Sequence, residues 1–376
     1  MKRIIKLSIS VIALVLCYSQ TVFAQLESIN YGGVSRTFIV HTPLGYTRTV
    51  AYPIVLNMHG LNSNATEQMA YSEFNSVSDT GKFIVIYPNA INGQWALANN
   101  TDVDFLSALV DTMRRRYSTN ACLFATGMSM GGFMSYKLAC SLSAKITAIA
   151  PVTGNMATIQ QTTCVLTKAI PVLHFHGTTD PIVDYNGSLG IPSVETTVNW
   201  WATKNNCATT PSQTNLPDIT TSDNSTATKI QYNACRNGAE VSLYKINGGG
   251  HTWPGATIPL PAFGNTNKDI KASALIWQFF SRFCTAATPT HEVQNWAIAL
   301  SPNPVTGKLV IRFGEAQNTE GVLRVYNLLG QIVKTKTVDS SQTVYELDTA
   351  DLPIGTYFLG VKFLSFSSKT LKFIKL

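Results

Sequence analysis

The stretch Cys122–Cys140, CLFATGMSMGGFMSYKLAC, sets Ser129 between Gly127 and Gly131, after a run of β-forming residues and before a helical pattern. A serine hydroxyl is a weak nucleophile until a base takes its proton and its oxygen stands exposed. A sharp strand-to-helix turn provides the exposure, and small residues two positions either side avoid clashes within that turn. The pattern alone arises by chance in about one chain in ten of this length. Its setting between an apolar strand and a helix is what lifts it above chance. The chemistry it suggests is attack on a carbonyl by Ser129.

Such a serine needs an acid later in the chain and a histidine later still. The stretch HFHGTTDPIVDY offers Asp180, with Asp184 as the weaker alternative, and NGGGHTWPG offers His251. Three glycines before His251 are expected to take positive φ and bring the imidazole over the sheet. His251 would accept the Ser129 proton, and Asp180 would orient the ring and stabilise its charged form. His41 comes too early and His291 falls in a linker, while His174 and His176 alternate along a strand and read as core or loop histidines rather than metal ligands. Two backbone donors are needed for the developing oxyanion. Met130 N–H follows the serine directly, and Leu61 N–H follows NMHG, where His59 and Gly60 would shape the loop.

These loops require a scaffold. Apolar runs (RTFIVHTP, YPIVLNMHG, KFIVIYPNA, CLFATGMS, ITAIAPVTG, PVLHFHG, VSLYKING) alternate with helical patterns (DVDFLSALVDTMRRRY, MGGFMSYKLACSL, SVETTVNWWATKNN, KDIKASALIWQFFSRF). That alternation predicts an α/β fold with a mostly parallel sheet covered by helices on both faces. Chemistry in such folds sits on loops beyond the carboxyl ends of the strands. The Ser/Thr/Asn-rich stretch Ala208–Thr228 reads as a surface excursion tied down between two cysteines. Past Cys284, residues 285–299 read as a linker. Residues 300–376 read as short strands of a small C-terminal all-β sandwich.

The first 24 residues read as an export signal: Lys2, Arg3 and Lys6, an apolar run from Ile9 to Leu16, and Val22–Ala24 before a cleavage site. That run is short for a bilayer, and no other stretch approaches the ~20 apolar residues that an integral membrane span needs. The formal charge of +7 misleads. Three of the positive charges lie in the signal, and from Leu300 onward nine basic residues face six acidic ones. Between them, over residues 25–299, 16 basic residues meet 15 acidic, so the main domain offers no footprint for nucleic acid. The run Arg114–Arg116 ends a predicted helix, where cations suit the dipole and face water.

Six cysteines follow the signal, an even number that argues for disulfides in an exported protein. Six allow fifteen connectivities. Proximity along the chain favours Cys140–Cys164 and Cys207–Cys235, which leaves Cys122 for Cys284. No pair has the CxxC spacing of a zinc or redox motif.

With these residues assembled, MHGLNSNA, FIVIYPNA, ATGMSMGGFMSYKLAC, VLHFHGTTDPIVDYNG, NWWATKNNC, GAEVSLYKINGGGHTWPG and ASALIWQFF resemble the secreted esterase family of feruloyl esterases, acetylxylan esterases and polyhydroxybutyrate depolymerases. The resemblance spans about Glu27–Cys284 and implies an α/β-hydrolase fold with a triad at Ser129, Asp180 and His251. Many members read SNGG where this chain has Ser129-Met130-Gly131-Gly132. Position 130 would act through its backbone, so the change puts the pocket's shape in question rather than the activity. The tail segments LSPNPVTGKLVIRF, VYNLLGQIV, LPIGTYFLGV and KFIKL resemble the type A sorting domain of the type IX secretion system. That implies partnership with outer-membrane secretion machinery, passage through the periplasm and removal of the tail. A carbohydrate-binding sandwich is the competing reading, although Tyr326, Tyr345, Tyr357 and Phe358 fall in core-like alternation.

The expected activity is hydrolysis of feruloyl or acetyl esters of plant cell-wall polysaccharide through an acyl-enzyme, with no metal or organic cofactor. Polyester hydrolysis is the alternative, followed by acyl transfer to a sugar alcohol and by a catalytically silent binding protein. Trp95, Trp253 and His59 are the expected substrate contacts, with core packing as the competing reading for the two tryptophans.

Overall fold

The computed structural model describes residues 26–284 and 298–376, apart from 314–320, 329–330, 340–341 and 364–368. The expected signal segment and most of the expected linker lie outside the described residues.

The first part is built on ten strands: β1 (Leu26–Tyr31), β2 (Val34–His41), β3 (Tyr52–Met58), β4 (Ile84–Pro88), β5 (Thr119–Met128), β6 (Ala148–Val152), β7 (Val172–Gly177), β8 (Ser212–Asn215), β9 (Thr226–Tyr232) and β10 (Val241–Asn247). Their order across the sheet is β1-β2-β4-β3-β5-β6-β7-β10-β9-β8. The central strands from β4 to β10 run parallel. The pairs β1/β2 and β8/β9 extend the two edges antiparallel.

Strand periodicity divides the core. Ile54, Leu56 and Met58 point to one face, where they meet buried residues of α3 (Thr101–Arg116), α4 (Met130–Ser141) and α6 (Val194–Lys204). Val55, Val85 and Phe124 point to the other face, against α1 (Ala65–Ser72), α2 (Phe74–Gly81) and α7 (Ala272–Ser281). The mostly parallel sheet with helices on both faces is therefore present. A short α5 (Thr158–Thr163) buries none of its residues.

Helices α1 and α2 go beyond the sequence reading, because the buried face of α1 mixes Gln68 and Ser72 with Ala65 and Tyr71. Gln68 Nε2 donates to Asn57 Oδ1 at 2.8 Å and Asn57 Nδ2 donates to Ser72 Oγ at 3.0 Å, so a polar face is satisfied inside. Residues Ala208–Thr228 are likewise more ordered than a tethered excursion. They contribute β8 and the start of β9 to the sheet edge, and β8 was illegible because all four of its residues are exposed. Disulfides join Cys122–Cys284, Cys140–Cys164 and Cys207–Cys235, the pairing that chain proximity favoured.

After residue 298 the chain forms two antiparallel sheets. One contains β11 (Ile298–Ser301), β12 (Lys308–Phe313) and β15 (Val344–Asp348). The other contains β13 (Gly321–Tyr326), β14 (Ile332–Val338), β16 (Gly355–Phe363) and β17 (Lys369–Lys375). Leu309, Ile311, Tyr345 and Leu347 of the first share one apolar cluster with Leu323, Val325, Leu359 and Phe373 of the second, which makes this part a small sandwich.

Candidate active site

Strand β5 ends at Met128 and α4 begins at Met130, leaving Ser129 alone at the turn with φ 54° and ψ −119°. A non-glycine residue rarely adopts positive φ, and the surroundings must enforce it. They do so by close approach. A Cβ on Gly127 would lie 2.5 Å from Met58 O, and one on Gly131 would lie 2.1 Å from the same carbonyl. Both glycines are thus required by the backbone of β3 that crosses the turn. Ser129 N–H donates to Val152 O at 2.9 Å, and Ser129 O accepts from the amides of Gly132 and Phe133, so the main chain at the turn is pinned on both sides.

The loops after β7 and β10 are laced together, since these strands are parallel neighbours. Thr179 N–H and its hydroxyl both donate to Gly249 O, and Gly248 N–H donates to Thr178 Oγ1 at 2.9 Å. This lacing brings Asp180 to His251: Nδ1 of His251 lies 2.8 Å from Asp180 Oδ2, with both side chains almost wholly buried. Asp180 Oδ1 accepts from the amides of Ile182 and Val183, each at 2.8 Å. Burial by itself would raise this carboxyl. Hydrogen bonds from His176 and His251 overcome burial and hold it well below the usual carboxylate range. Asp184 is exposed and caps its own turn through Asn186 N–H, so its carboxylate is used locally.

The glycine run before His251 works differently from the expectation. Only Gly248 has positive φ, at 74°. A Cβ on Gly249 would meet Ile246 Cγ2 at 2.4 Å, and one on Gly250 would meet Phe263 O at 2.1 Å, so these two are glycine for space.

The amides of Leu61 and Met130 donate to no protein acceptor among the described residues. Met130 N–H belongs to the first turn of α4, where amides lack intrahelical partners. The Gly60–Leu61 peptide is oriented by His59. Ala90 N–H donates to His59 Nε2 at 3.0 Å, so Nδ1 carries the hydrogen and donates to Gly60 O at 2.7 Å. In a trans peptide the N–H points opposite the carbonyl, which leaves Leu61 N–H directed away from the His59 contact. Burial lowers the pKa of His59 and favours the neutral ring that this arrangement needs.

Three expected substrate contacts are corrected. His59 is fully buried, and both of its ring nitrogens are engaged with backbone. Trp95 is 1% exposed, packs at a tilt against the His59 ring and donates Nε1–H to His59 O at 2.9 Å. Trp253 is also 1% exposed and donates Nε1–H to Ser273 Oγ at 3.0 Å. All three hold the loops from inside and offer no surface to a ligand; residue type alone gave no sign of which way they point. The aromatic beside the imidazole is instead the partly exposed Phe263, with its ring centroid 6.1 Å from that of His251. No sequence signal marked it, because its 3₁₀ segment, Pro261–Phe263, reads as ordinary loop. Among the described residues no cluster of His, Cys, Asp and Glu is arranged for a metal ion, and no helix is long and apolar enough to cross a membrane.

Residues 100–212, which include the elbow and Asp180, match the phospholipase/carboxylesterase family, and residues 299–375 match the secretion system C-terminal sorting domain. The carboxylesterase match runs from α3 through α6, ends at the first residue of β8 and stops short of His251.

Among curated relatives, feruloyl esterase B of Piromyces equi is 30% identical over 237 residues, covering 57% of this chain and 42% of that protein. Feruloyl esterase D of Neurospora crassa is 27% identical and covers 69% of this chain and 86% of its own. A bifunctional acetylxylan esterase/xylanase of Neocallimastix patriciarum is 26% identical over 68% of this chain. The chain spans only 35% of that relative's length and 42% of the Piromyces protein's. A solved acetyl xylan esterase from Aspergillus awamori is similar at 16% identity with a TM-score of 0.46, covering 63% of this chain and 96% of its own. The sorting-domain match, together with three disulfides, fits an extracellular protein.

Proposed function

We propose that this chain is an exported serine carboxylic-ester hydrolase acting on feruloyl or acetyl esters of plant polysaccharide. The observation that carries the reading is the buried 2.8 Å Asp180–His251 pair, together with a serine held at positive φ on the turn between β5 and α4. Ser129 Oγ attacks the ester carbonyl while His251 Nε2 takes its proton. The negative charge that builds on the carbonyl oxygen is met by Leu61 and Met130 N–H. His251 then returns the proton to the departing alcohol oxygen, leaving the acid esterified to Ser129. A water that gives its proton to the same imidazole attacks this ester, and the acid leaves as Ser129 recovers its hydrogen. Asp180 stays ionised throughout and stabilises the imidazolium.

The substrate class draws support from relatives named feruloyl and acetylxylan esterases, and from exposed apolar side chains at Leu61 and Ile182 on the loops that carry the site. Beside them the Phe263 ring offers a face to an aromatic acyl group. The tail is proposed to engage the outer-membrane secretion machinery and to be removed on export.

The test is a product screen of the purified protein against methyl ferulate, acetylated xylan and polyhydroxybutyrate, with Ser129→Ala as control. Release of ferulate or acetate, abolished in the variant, is the expected result. Release of hydroxybutyrate alone would replace the polysaccharide reading with a polyester one.

A further inference from the structure

A buried line of hydrogen bonds runs from α4 through β7 to the carbonyl of Val183, beside the carboxylate of Asp180. Tyr136 Oη lies 2.6 Å from His174 Nδ1, and His174 Nε2 lies 2.9 Å from His176 Nδ1. His176 Nε2 in turn lies 2.8 Å from Val183 O and 3.3 Å from Asp180 Oδ2. Tyr136 and His174 are 0% exposed and His176 is 1% exposed.

With a neutral His176 ring, one end of the line fixes the direction of every bond in it. Val183 O is a carbonyl and can only accept, so His176 Nε2 carries the hydrogen. Its Nδ1 then accepts from His174 Nε2–H, and His174 Nδ1 accepts from the Tyr136 hydroxyl. Burial pushes the Tyr136 hydroxyl pKa up and the His174 ring down, so both remain neutral. The three groups thus donate in sequence toward Val183 O, with Asp180 Oδ2 3.3 Å from the same Nε2. A strand that only filled this core would carry apolar side chains here, as β7 does at Val172 and Phe175. Two buried imidazoles lose hydration that only completed hydrogen bonds replace.

We propose that His176 is a positioning residue for Asp180. Its Nε2–H, held in that tautomer by His174 and Tyr136, fixes the carboxylate oxygen that faces His251. Oδ1 is set by two backbone amides, whereas Oδ2 has only the two imidazoles. Losing one of them frees the carboxylate to shift relative to the ring it orients. The inference rests on the reading of Ser129, Asp180 and His251 as a hydrolytic triad.

The experiment measures kcat and KM for 4-nitrophenyl acetate, together with Tm, in wild type, His176→Phe and His176→Gln. Folded His176→Phe should lose roughly 10- to 100-fold in kcat with KM nearly unchanged. Gln carries an amide N–H near the position of Nε2 and should restore most of that loss. Full kcat in folded His176→Phe overturns the inference, as does a loss that His176→Gln does not relieve. If His176→Phe fails to fold, long-range ¹H–¹⁵N spectra of the wild-type imidazoles decide the matter. Nε2–H tautomers at both His174 and His176 near neutral pH are expected, and an Nδ1–H tautomer or an imidazolium at His176 overturns the inference. A wild-type protein that does not turn over the ester overturns the triad reading itself and this inference with it.

Discussion

Gly60 packs directly on Ser129: a Cβ built on the glycine would stand 3.4 Å from the serine Cβ and 4.0 Å from its Oγ. The loop that offers Leu61 N–H is therefore in contact with the proposed nucleophile. A single methyl at this distance is ordinary van der Waals contact, but the branched side chain of Gly60→Val adds carbons where a substrate must approach the hydroxyl. Because the crowding falls on the loop and not on the strand core, the variant should fold and lose at least about 10-fold in kcat/KM for short-chain esters. Wild-type kinetics in Gly60→Val would show that esters do not approach over this loop.

Acid stability tests the surroundings of Asp180. Its carboxyl is held below the usual range in the folded state by the two imidazoles, against burial. The stability it contributes is complete above the unfolded carboxyl value of about 3.9. It is lost as pH falls from there toward the lower folded value. Over that acid interval wild type should lose up to ~1.4 kcal/mol per pH unit more than Asp180→Asn. Urea denaturation at a series of pH values checks this. Parallel profiles for the two proteins would contradict the assigned hydrogen bonding.

Where the sequence was legible, local chemistry dictated the outcome. The sharp turn at Ser129 could be read because Gly127 and Gly131 are demanded by the carbonyl of Met58, a constraint that leaves a spacing in the chain. The approach of Asp180 to His251 could be read because each follows an apolar strand, and parallel neighbours bring the loops after those strands together. What escaped depended on direction or on polar satisfaction. Trp95, Trp253 and His59 look like ligand contacts by type, and only their burial and engaged nitrogens reveal that they brace the loops. Helix α1 hid its buried face behind Gln68 and Ser72. His176 alternates with His174 as any strand pair would, and only the bond to Val183 O gives the alternation a meaning.

The disulfide between Cys122 and Cys284 closes 162 residues and joins β5, which leads to the elbow, to the chain just after α7. Removing it in a Cys122→Ala/Cys284→Ala variant relaxes the unfolded chain and should cost about 3–5 kcal/mol in urea denaturation. Ser129 lies at the opposite end of β5 from the cysteine, so the folded fraction should keep its kcat. A variant with wild-type stability, or a folded one that has lost turnover, would contradict this division between stability and chemistry.

The central claim is that one serine, activated by a buried Asp180–His251 pair, is the nucleophile. Labelling with a fluorophosphonate probe, followed by peptide mass spectrometry, tests it most directly, because the probe bonds only to a serine whose proton is being removed. A single adduct on Ser129, with stoichiometric loss of esterase turnover, is the predicted result. An adduct on another residue, or full turnover with Ser129 unmodified, would contradict the account.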